Sequence, residues 1–323
     1  MQQSARIFIA GHTGLLGSAI RRRLEGSGYR NLLLPTHREL DLGDQRAVAE
    51  FFAAQKPEYV FLAAGKVGGI LANSSFPADF LRENLAIALH VIHQAFCVGV
   101  KRLLFLGSNC AYPVLAPQPM KESHLLTGPL NPDNRAYGIA KITAIEMCRS
   151  YNLQHGSKFL AIMPSNAYGP NDNYHPEYSH VLPAFLRRMH EAKQAGLSDV
   201  GLWGTGTPRR AFIYSEDFAE ACALLMNLPD AEFGSLTGCD VPLVNAGSSA
   251  ELSLRELAER VAEVVGFRGR LRWDANRPDG TQRKLMDISR LQALGWHART
   301  PLVTGLRKTY EDFCRNQPRS DPR

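Results

Sequence analysis

The sequence predicts an α/β protein built on a doubly wound parallel sheet, with a smaller α/β region at its C-terminal end. In the first half of the chain, short and almost continuously apolar runs alternate with longer segments of helical periodicity. Such apolar runs are typical of strands that are buried on both faces of a parallel sheet. The alternation itself indicates βαβ units, whose connections place helices on both faces of the sheet.

The individual elements follow from the same periodicity. The predicted strands are Ile7–Ala10, Asn31–Leu34, Tyr59–Ala63, Leu103–Gly107 and Phe159–Met163. The predicted helices between them are Ser18–Gly26, Asp44–Ala54, Pro77–Gly99 and Tyr137–His155. In a sheet of this kind, ligands bind at the carboxyl ends of the strands, so we look for functional residues there.

The loop after the first strand carries the pattern Gly11-x-x-Gly14-x-x-Gly17 and leads directly into a helix. Glycines at such a turn let the backbone approach a pyrophosphate, which binds the free N–H groups at the start of the helix. Glycines in a strand-to-helix turn also occur for steric reasons alone. Because this loop follows the first strand, we interpret it as the dinucleotide site of a Rossmann fold.

The texture of the sequence changes after about Pro164, which indicates a second region. The segment Tyr168–Pro176 is rich in turn-forming residues. Further on, the run Ser253–Glu256 is a capping box that begins a helix, and Gly266 ends that helix. We predict an NADP-binding Rossmann domain over residues 1–165, to which residues 212–245 return. Residues 166–211 and 246–323 are predicted to form the substrate-binding domain.

The segment after the second strand predicts which nicotinamide cofactor binds. An acidic residue there would hold the ribose 2′-hydroxyl of NAD, whereas basic residues accept the 2′-phosphate of NADP. The segment Leu34–Glu39 has no acid at its tip, and Arg38 favours NADP. The alternative is a solvated Arg38 that pairs with Glu39. Asp41 and Leu42 are placed to meet the adenine, although Asp41 could instead cap the next helix.

Tyr137 and Lys141 lie four residues apart, which places them on one face of a helix, about one turn apart. An ammonium beside a phenol is expected to lower the pKa of the phenol, which then exchanges protons near neutral pH. Ser108, at the end of the fourth strand, can hydrogen-bond the same carbonyl oxygen. Tyrosine and lysine are common on helix surfaces, but with the glycine loop and Ser108 they predict ketone reduction or alcohol oxidation.

Longer motifs resemble the extended short-chain dehydrogenase/reductase family, and within it the GDP-L-fucose synthases, over nearly the whole chain. These motifs are Phe8–His12, Leu62–Ile70, Leu104–Pro113, Tyr168–Pro176, Ser179–Val181, Trp203–Pro208 and Pro278–Thr281. The resemblance implies NADPH-dependent 3,5-epimerisation and 4-reduction of GDP-4-keto-6-deoxy-D-mannose, which gives GDP-L-fucose. It also implies a homodimer that pairs through helices around Pro77–Gly99 and Tyr137–His155.

The same resemblance implies the roles of the site residues. Cys110 is the base and His180 the acid of both epimerisations, while Ser108 and Tyr137 stabilise the enolate and later serve the reduction. Lys141 binds the nicotinamide ribose. A thiol and an imidazole can exchange protons near neutral pH. Taken alone, however, Cys110 reads as a buried core cysteine and His180 as a hydrogen-bonded structural histidine.

The resemblance implies two further sets of contacts. The cofactor contacts are Gly11, His12, Thr13, Gly14, Leu15, Leu16, Gly17, Arg38, Asp41, Leu42, Ala63, Ala64, Lys141, Pro164, Ser165, Asn166, Ala167 and His180. The substrate contacts are Asn166, Arg188, Trp203, Arg210 and Asp279. Arg188 could instead belong with Arg187 to a solvated helix face, and Trp203 could simply fill the core.

The chain departs from the family at the cofactor end of the site. Family members often have arginine at the position of Thr13 and another basic residue near His37, and both are associated with the 2′-phosphate. Thr13 carries no charge, and His37 carries one only when it is protonated. Arg38 is therefore expected to substitute for them.

Composition limits the remaining function classes. The net charge of +6 is dispersed and suits a small phosphate-bearing ligand rather than nucleic acid. The six cysteines lack metal-ligand spacing, which predicts reduced thiols and no metal site. Without a membrane span or a signal peptide, a cytoplasmic protein is expected. Two alternatives stay open: an epimerase/reductase of another GDP-4-keto sugar, as in colitose or heptose synthesis, and a non-catalytic dinucleotide-sensing protein.

Overall fold

A computed structural model describes residues 1–277 and 279–316 of the chain. Pro278, which belongs to one of the predicted motifs, lies outside the described residues, as do residues 317–323, which end the predicted substrate-binding domain. None of the described helices is long and apolar enough to cross a membrane.

A six-stranded sheet forms the centre of the molecule. Its strands are β1 (Ile7–Ala10), β2 (Leu32–Leu33), β3 (Tyr59–Leu62), β4 (Arg102–Leu106), β5 (Phe159–Pro164) and β9 (Leu243–Ala246). They lie in the order β2-β1-β3-β4-β5-β9, and every neighbouring pair is parallel. All residues of β1, β4 and β5 are buried, as expected for strands that are covered on both faces.

Helices cover both faces of this sheet. One face is covered by α2 (Gln45–Gln55), α4 (Pro77–Cys97), which follows the short α3 (Ile70–Ser75), and α5 (Arg135–His155). The other face is covered by α1 (Leu15–Gly26), α7 (Ser215–Asn227) and α8 (Asp230–Thr237). The arrangement confirms the predicted doubly wound α/β fold. At more than half of the predicted element ends, the observed first or last residue differs from the predicted one by one to three residues. The cause is that capping residues such as Gly14 lie outside the periodic pattern.

A second apolar core lies among elements that follow β5. Its strands are β6 (Asn166–Tyr168), β7 (Asp199–Trp203), β8 (Arg209–Tyr214), β10 (Glu251–Ser253), β11 (Arg270–Asp274) and β12 (Arg283–Lys284). Its helices are α6 (Val181–Gln194), α9 (Leu254–Val265) and α11 (Leu302–Asn316), while α10 (Ser289–Ala293) packs near β9. Strand β8 is flanked by β6, β10 and β12, and the parallel pairing of β12 sets Lys284 beside Arg210.

Candidate active site

The glycine loop forms a tight turn between β1 and α1. Gly11 has a φ of +81°, and a Cβ at Gly17 would overlap the carbonyl oxygen of Gly11. Gly14, the N-cap of α1, offers no side chain to the free N–H groups of the first turn, which contains no acidic residue. The start of this helix therefore has N–H groups available for an anion, and the loop fits a dinucleotide pyrophosphate.

Other predicted cofactor residues surround this loop. Ala63 and Ala64 follow β3, and the backbone of Ala64 lies where a Cβ on Gly11 would be. His12 is buried, its Nδ1 has no hydrogen-bond partner, and burial, aided by the charge of Arg21, lowers its pKa. Leu15 and Leu16 form the first turn of α1. The run Pro164–Ala167 joins the end of β5 to β6, and the buried hydroxyl of Ser165 has no partner there.

The segment after β2 leaves Arg38 exposed. Glu39 does not pair with it, because its carboxylate accepts hydrogen bonds from the backbone N–H of Thr36 at 2.7 Å and from the Thr36 hydroxyl at 2.8 Å. Arg38 is therefore solvent-exposed, as in the alternative of a solvated charge, but the ion pair with Glu39 that this alternative included is absent. The exposed guanidinium fits the 2′-phosphate of an NADP molecule.

Asp41 does not cap the next helix either. Asp44 is the N-cap of α2, since its carboxylate accepts hydrogen bonds from two N–H groups of the first turn. Asp41 instead accepts a hydrogen bond from the N–H of Gly43 and lies 3.8 Å from His37. Leu42 is buried in the core beneath α2 and α4.

Ser108, Tyr137 and Lys141 meet at the carboxyl end of β4. Ser108 precedes a single 3-10 turn, Asn109–Ala111, and its hydroxyl hydrogen-bonds the Tyr137 phenol. The Nζ of Lys141 donates to the carbonyl oxygen of Leu106 at 3.0 Å and lies 5.6 Å from the centre of the Tyr137 ring. The structure thus brings together the three residues that the sequence predicted for carbonyl chemistry.

The expected effect of Lys141 on the Tyr137 phenol is wrong. Burial raises the pKa of Tyr137, and the hydrogen bond with Ser108 opposes that shift. Lys141 is itself buried, which lowers its own pKa to about 8. Its ammonium binds a backbone carbonyl rather than the phenol. Tyr137 therefore keeps its proton at neutral pH and is suited to donate it.

Cys110 lies two residues after Ser108 and is only partly buried, unlike a core cysteine. The Nδ2 of Asn134 donates a hydrogen bond to its sulfur at 3.1 Å, and the Nζ of Lys284 lies 4.0 Å from the same atom. Neither partner was predicted from the sequence. Asn134 lies three residues before Tyr137, and Lys284 closely follows the Pro278–Thr281 motif, so both could have been found by scanning next to known motifs.

His180 reaches the site from the second region, as the N-cap of α6. The residues before it dock on the segment that precedes α3. The N–H of Gly69 donates to the carbonyl of Tyr178 at 2.7 Å, and a Cβ on Gly69 would overlap the carbonyl oxygen of Ser179. Tyr178 also packs in one cluster with Cys110 and Tyr137. The glycine therefore lets the His180 loop approach the site.

His180 is an exposed residue with many protein atoms around its side chain. Loss of hydration lowers its pKa, and the positive charge of Lys284 lowers it further. Among the residues that the structure describes, the ring has no hydrogen-bond partner. His180 is therefore not held in place by hydrogen bonds, as a structural histidine would be. Its position leaves it available for proton transfer to a bound ligand.

Arg210 is buried, and burial lowers its pKa to about 10. Its guanidinium donates to the carbonyl oxygens of Arg209 and Gln282. Within residues 1–277 and 279–316 no carboxylate lies within ion-pair distance of it. A buried guanidinium without an anionic partner fits one phosphate of a nucleoside diphosphate.

Arg188 and Trp203 lie together farther out in the second region. The guanidinium carbon of Arg188 is 4.7 Å from the centre of the Trp203 ring, and that of Arg277 is 5.0 Å from it. Arg188 is half-buried and burial lowers its pKa, whereas Arg187 forms an ion pair with Glu191. A purely solvated helix face therefore does not describe Arg188, and Trp203 is only partly buried.

Two predicted substrate residues have partners within the protein. Asp279 accepts hydrogen bonds from the N–H and the hydroxyl of Thr205, both at 2.7 Å. The Nδ2 of Asn166 donates to the carbonyl of Ala211 at 2.9 Å. Both side chains hold neighbouring strands and turns in place, so only their remaining polar atoms are available to a ligand.

Comparison with known proteins agrees with this geometry. The model of the NAD dependent epimerase/dehydratase family matches residues 7–235. GDP-L-fucose synthase 1 of Arabidopsis thaliana is 54% identical over 97% of this chain and 94% of its own length. GDP-L-fucose synthase of Escherichia coli (strain K12) is 50% identical over 97% and 98%.

Solved structures similar to this chain include one with NADP bound. The GDP-mannoheptose C4 reductase of Campylobacter jejuni with NADP bound has a TM-score of 0.86 and 38% identity, over 97% of this chain and 99% of that one. The glycine loop and the Ser108–Tyr137–Lys141 group lead to the same assignment as these matches, which extend over most of the chain. The chain therefore belongs to the NAD dependent epimerase/dehydratase family and, within it, to the GDP-L-fucose synthases.

Proposed function

We propose that this chain inverts C3 and C5 of GDP-4-keto-6-deoxy-D-mannose and then reduces C4 with NADPH, which yields GDP-L-fucose. One observation carries the proposal: Cys110 lies two residues from Ser108 and in the same cluster as Tyr137. A carbonyl-reducing site therefore has a thiol within its wall. The identity to the plant and bacterial synthases supports the choice of sugar.

The epimerisations use the acidity of carbons beside a ketone. C3 and C5 both flank C4, so loss of a proton from either carbon places negative charge on the C4 oxygen. Ser108 and Tyr137 donate hydrogen bonds to that oxygen and stabilise the enolate. Cys110 takes the proton from one face of the carbon, and His180 returns a proton to the other face, which inverts the centre. Both residues regain their starting states by exchange with solvent.

The reduction uses the same oxygen site. NADPH, when bound, supplies the hydride that adds to C4. Tyr137 donates its phenolic proton to the C4 oxygen, and Ser108 holds that oxygen in place. Lys141, bound to the carbonyl of Leu106, is the proposed contact of the nicotinamide ribose. Arg38 is the proposed contact of the 2′-phosphate, and the glycine loop that of the pyrophosphate.

Two parts of the chain are proposed to bind the two ligands. We assign cofactor binding to residues 1–165 with 212–245, and substrate binding to residues 166–211 and 246–323. In the second region, Arg210 is the proposed partner of a phosphate, and Arg188 with Trp203 that of the nucleotide. Asn166 and Asp279 contribute their remaining polar atoms.

We also propose a cytoplasmic homodimer. Its interface is formed by α4 and α5, which pack together and expose the apolar side chains Leu89, Ile139 and Leu153. The six cysteines are free thiols, which suits a reducing compartment. Light scattering on a column-purified sample tests the dimer. Leu89→Glu should yield a monomer, and a wild-type mass of one chain would contradict the proposal.

The test of the proposed reaction combines the purified chain, NADPH and GDP-4-keto-6-deoxy-D-mannose. We expect consumption of NADPH and formation of GDP-L-fucose, identified by proton NMR of the product. Tyr137→Phe is the control that retains the fold. A wild-type enzyme that consumes no NADPH with this sugar, but does so with a GDP-4-keto heptose or the colitose precursor, would replace the substrate and keep the chemistry.

A dinucleotide-sensing protein without catalysis is the other rival. Such a protein has no use for a phenol, a serine and a lysine that share one carbonyl site, and all three are in place here. Turnover of any GDP-4-keto sugar by the wild type, lost in Tyr137→Phe, would exclude it.

A further inference from the structure

The side chain of Lys284 lies beside Cys110, one of the two residues that exchange protons in the proposed reaction. Its Nζ lies 4.0 Å from the sulfur of Cys110 and 3.4 Å from the Oδ1 of Asn109. Its charge also acts on His180, which lies on another element. Among residues 1–277 and 279–316 no carboxylate forms an ion pair with Lys284, so no acidic side chain neutralises its charge.

The backbone holds Lys284 in this place. Strand β12 pairs in parallel with β8, which sets Lys284 beside Arg210. The N–H of Leu285, the next residue, donates to the Oε1 of Gln118 at 2.8 Å, and its carbonyl accepts from the N–H of Met120 at 2.8 Å. Lys284 is thus anchored on both sides, as expected for a side chain with a defined position.

Asn134 approaches the same sulfur from α5. It is the N-cap of that helix, a position where asparagine commonly binds the free N–H groups of the first turn. Its side chain makes no such capping bond and donates to the sulfur of Cys110 at 3.1 Å instead. Asn109, Cys110, Asn134 and Lys284 line one small cavity. A hydrogen-bond donor and an ammonium therefore face one sulfur atom from two elements.

We propose that Lys284 is a positioning residue for epimerisation, which with Asn134 holds the Cys110 sulfur as a thiolate base. The proposal deepens the proposed function and rests on it for the roles of Cys110 and His180. A cation beside a thiol stabilises the thiolate. The ammonium of Lys284 therefore favours a base at Cys110.

Other charged groups face Cys110 and limit how large the effect of Lys284 can be. Arg210 on β8 and Lys141 on α5 both interact with its charge, and so does the phenol of Tyr137 on α5. Lys284, on β12, is the cation for which the structure gives a contact with the sulfur itself. It is also the charge that acts on His180.

The first test measures Cys110 alone and needs no sugar. Wild type, Lys284→Met and Lys284→Arg are treated with iodoacetamide over a range of pH, and modification of Cys110 is followed by peptide mass spectrometry. We expect the midpoint of the pH profile to rise by about 1 pH unit in Lys284→Met. Lys284→Arg should restore most of that shift, because it restores the cation.

The matched control is Arg283→Met, which removes a cation from the same strand. The guanidinium of Arg283 pairs with Glu251 at 2.9 Å, so its loss should leave the Cys110 midpoint unchanged. Exposed Cys314, which lies on α11 outside the proposed dimer interface, serves as an internal thiol whose profile should be the same in every variant. Asn134→Ala should raise the midpoint less than Lys284→Met, since it removes a dipole rather than a charge.

The second test follows deuterium incorporation at C3 and C5 from D₂O. Removal of the cation makes Cys110 hold its proton more tightly, so the rise of the exchange rate with pH should move to higher pH in Lys284→Met. A residue with a merely structural role would lower the profile without moving it. A lysine that only binds substrate phosphate would raise KM and leave the Cys110 midpoint in place.

These outcomes separate the inference from the proposed function. An unchanged Cys110 midpoint in Lys284→Met overturns the role of Lys284, whatever the sugar. A raised midpoint that Lys284→Arg reverses supports it, even if the wild type exchanges no deuterium with this sugar. Absence of deuterium exchange in the wild type would instead overturn the proposed substrate, because the thiol would then be activated for a different substrate.

Discussion

The two halves of the candidate site are built in different ways. The reduction half, Ser108, Tyr137 and Lys141, stands on the rigid sheet, with one residue after β4 and two on the long helix α5. The epimerisation half draws Cys110 from a 3-10 turn, His180 from a docked loop and Lys284 from a two-residue strand. One half is fixed by buried secondary structure, whereas the other depends on how several segments pack.

This difference teaches where each half is sensitive to change. A buried helix and strand tolerate little motion, so the reduction half should respond mainly to loss of its own functional groups. The epimerisation half should respond also to changes far from the reacting atoms, wherever a docking contact shifts a loop by about 1 Å. Variants that separate exchange from reduction test the comparison directly.

The largest effect is expected for Tyr137→Phe, because both halves share this phenol. Loss of the proton donor should lower the rate of C4 reduction by about 10³-fold, the range of general acid catalysis. Deuterium exchange at C3 and C5 should fall less, since Ser108 still faces the enolate oxygen. NADPH binding, followed by nucleotide fluorescence, should be nearly unchanged. Survival of turnover in this variant would remove Tyr137 from the mechanism.

Gly69→Ala should damage one half and spare the other. A Cβ there would overlap the carbonyl oxygen of Ser179, so the loop that carries His180 must move. We expect exchange at C3 and C5 to fall by about 10²-fold, the cost of a 1 Å misplacement. Oxidation of GDP-L-fucose by NADP, which needs no epimerisation, should keep most of its rate.

The control for this prediction is Gly234→Ala in α8. Nothing lies within 4 Å of a Cβ built at Gly234. Both partial reactions should therefore proceed as in wild type. Equal losses of exchange and of fucose oxidation in Gly69→Ala would mean that the two halves move as one unit, which would break the comparison.

Local spacing predicted the pair Tyr137 and Lys141, because helical periodicity sets them one turn apart, and Ser108 was added from its place at the end of the fourth strand. Apolar runs likewise predicted five of the six strands of the central sheet, whereas the sixth, β9, was not predicted. Cys110 and His180 came from the resemblance, since no local rule joins residues 70 positions apart. Lys284 and Asn134 were missed because only tertiary packing brings them to the sulfur. The prediction that Lys141 lowers the pKa of Tyr137 was wrong. Burial raises that pKa, and the Lys141 ammonium binds a backbone carbonyl instead of the phenol.

A buried carboxyl group lies close to the His180 loop of the epimerisation half, and its ionisation is expected to lower the stability of the protein. Asp172, in the turn before the His180 loop, has one oxygen without a partner, and burial raises its pKa from 3.8 to about 7. The native state thus binds this proton more tightly than the unfolded chain, so stability falls as pH rises from about 4 to 7 and stays lower above that. Asp172→Asn removes this dependence.

Urea unfolding of wild type and Asp172→Asn at pH 5 and pH 8 measures the difference. We compare the free energy of unfolding of Asp172→Asn with that of wild type at each pH. The difference, variant minus wild type, should be about 2 kcal/mol larger at pH 8 than at pH 5. The hydrogen bond from the N–H of Asn173 is retained by the amide oxygen. Parallel pH dependence of the two proteins would show that the buried carboxyl does not ionise in this range.

The smallest effect is expected at the cofactor end, for Arg38→Ala. The guanidinium is exposed, so solvent screens its attraction for a 2′-phosphate, and its loss should weaken NADPH binding by about tenfold, or ~1.4 kcal/mol. NADH lacks that phosphate and is the internal control, with unchanged affinity. Exchange at C3 and C5 should also be unchanged, because epimerisation needs no hydride. An equal loss for both nucleotides would mean that Arg38 acts on the adenosine rather than on the phosphate, and His37 would then be the remaining basic candidate beside it.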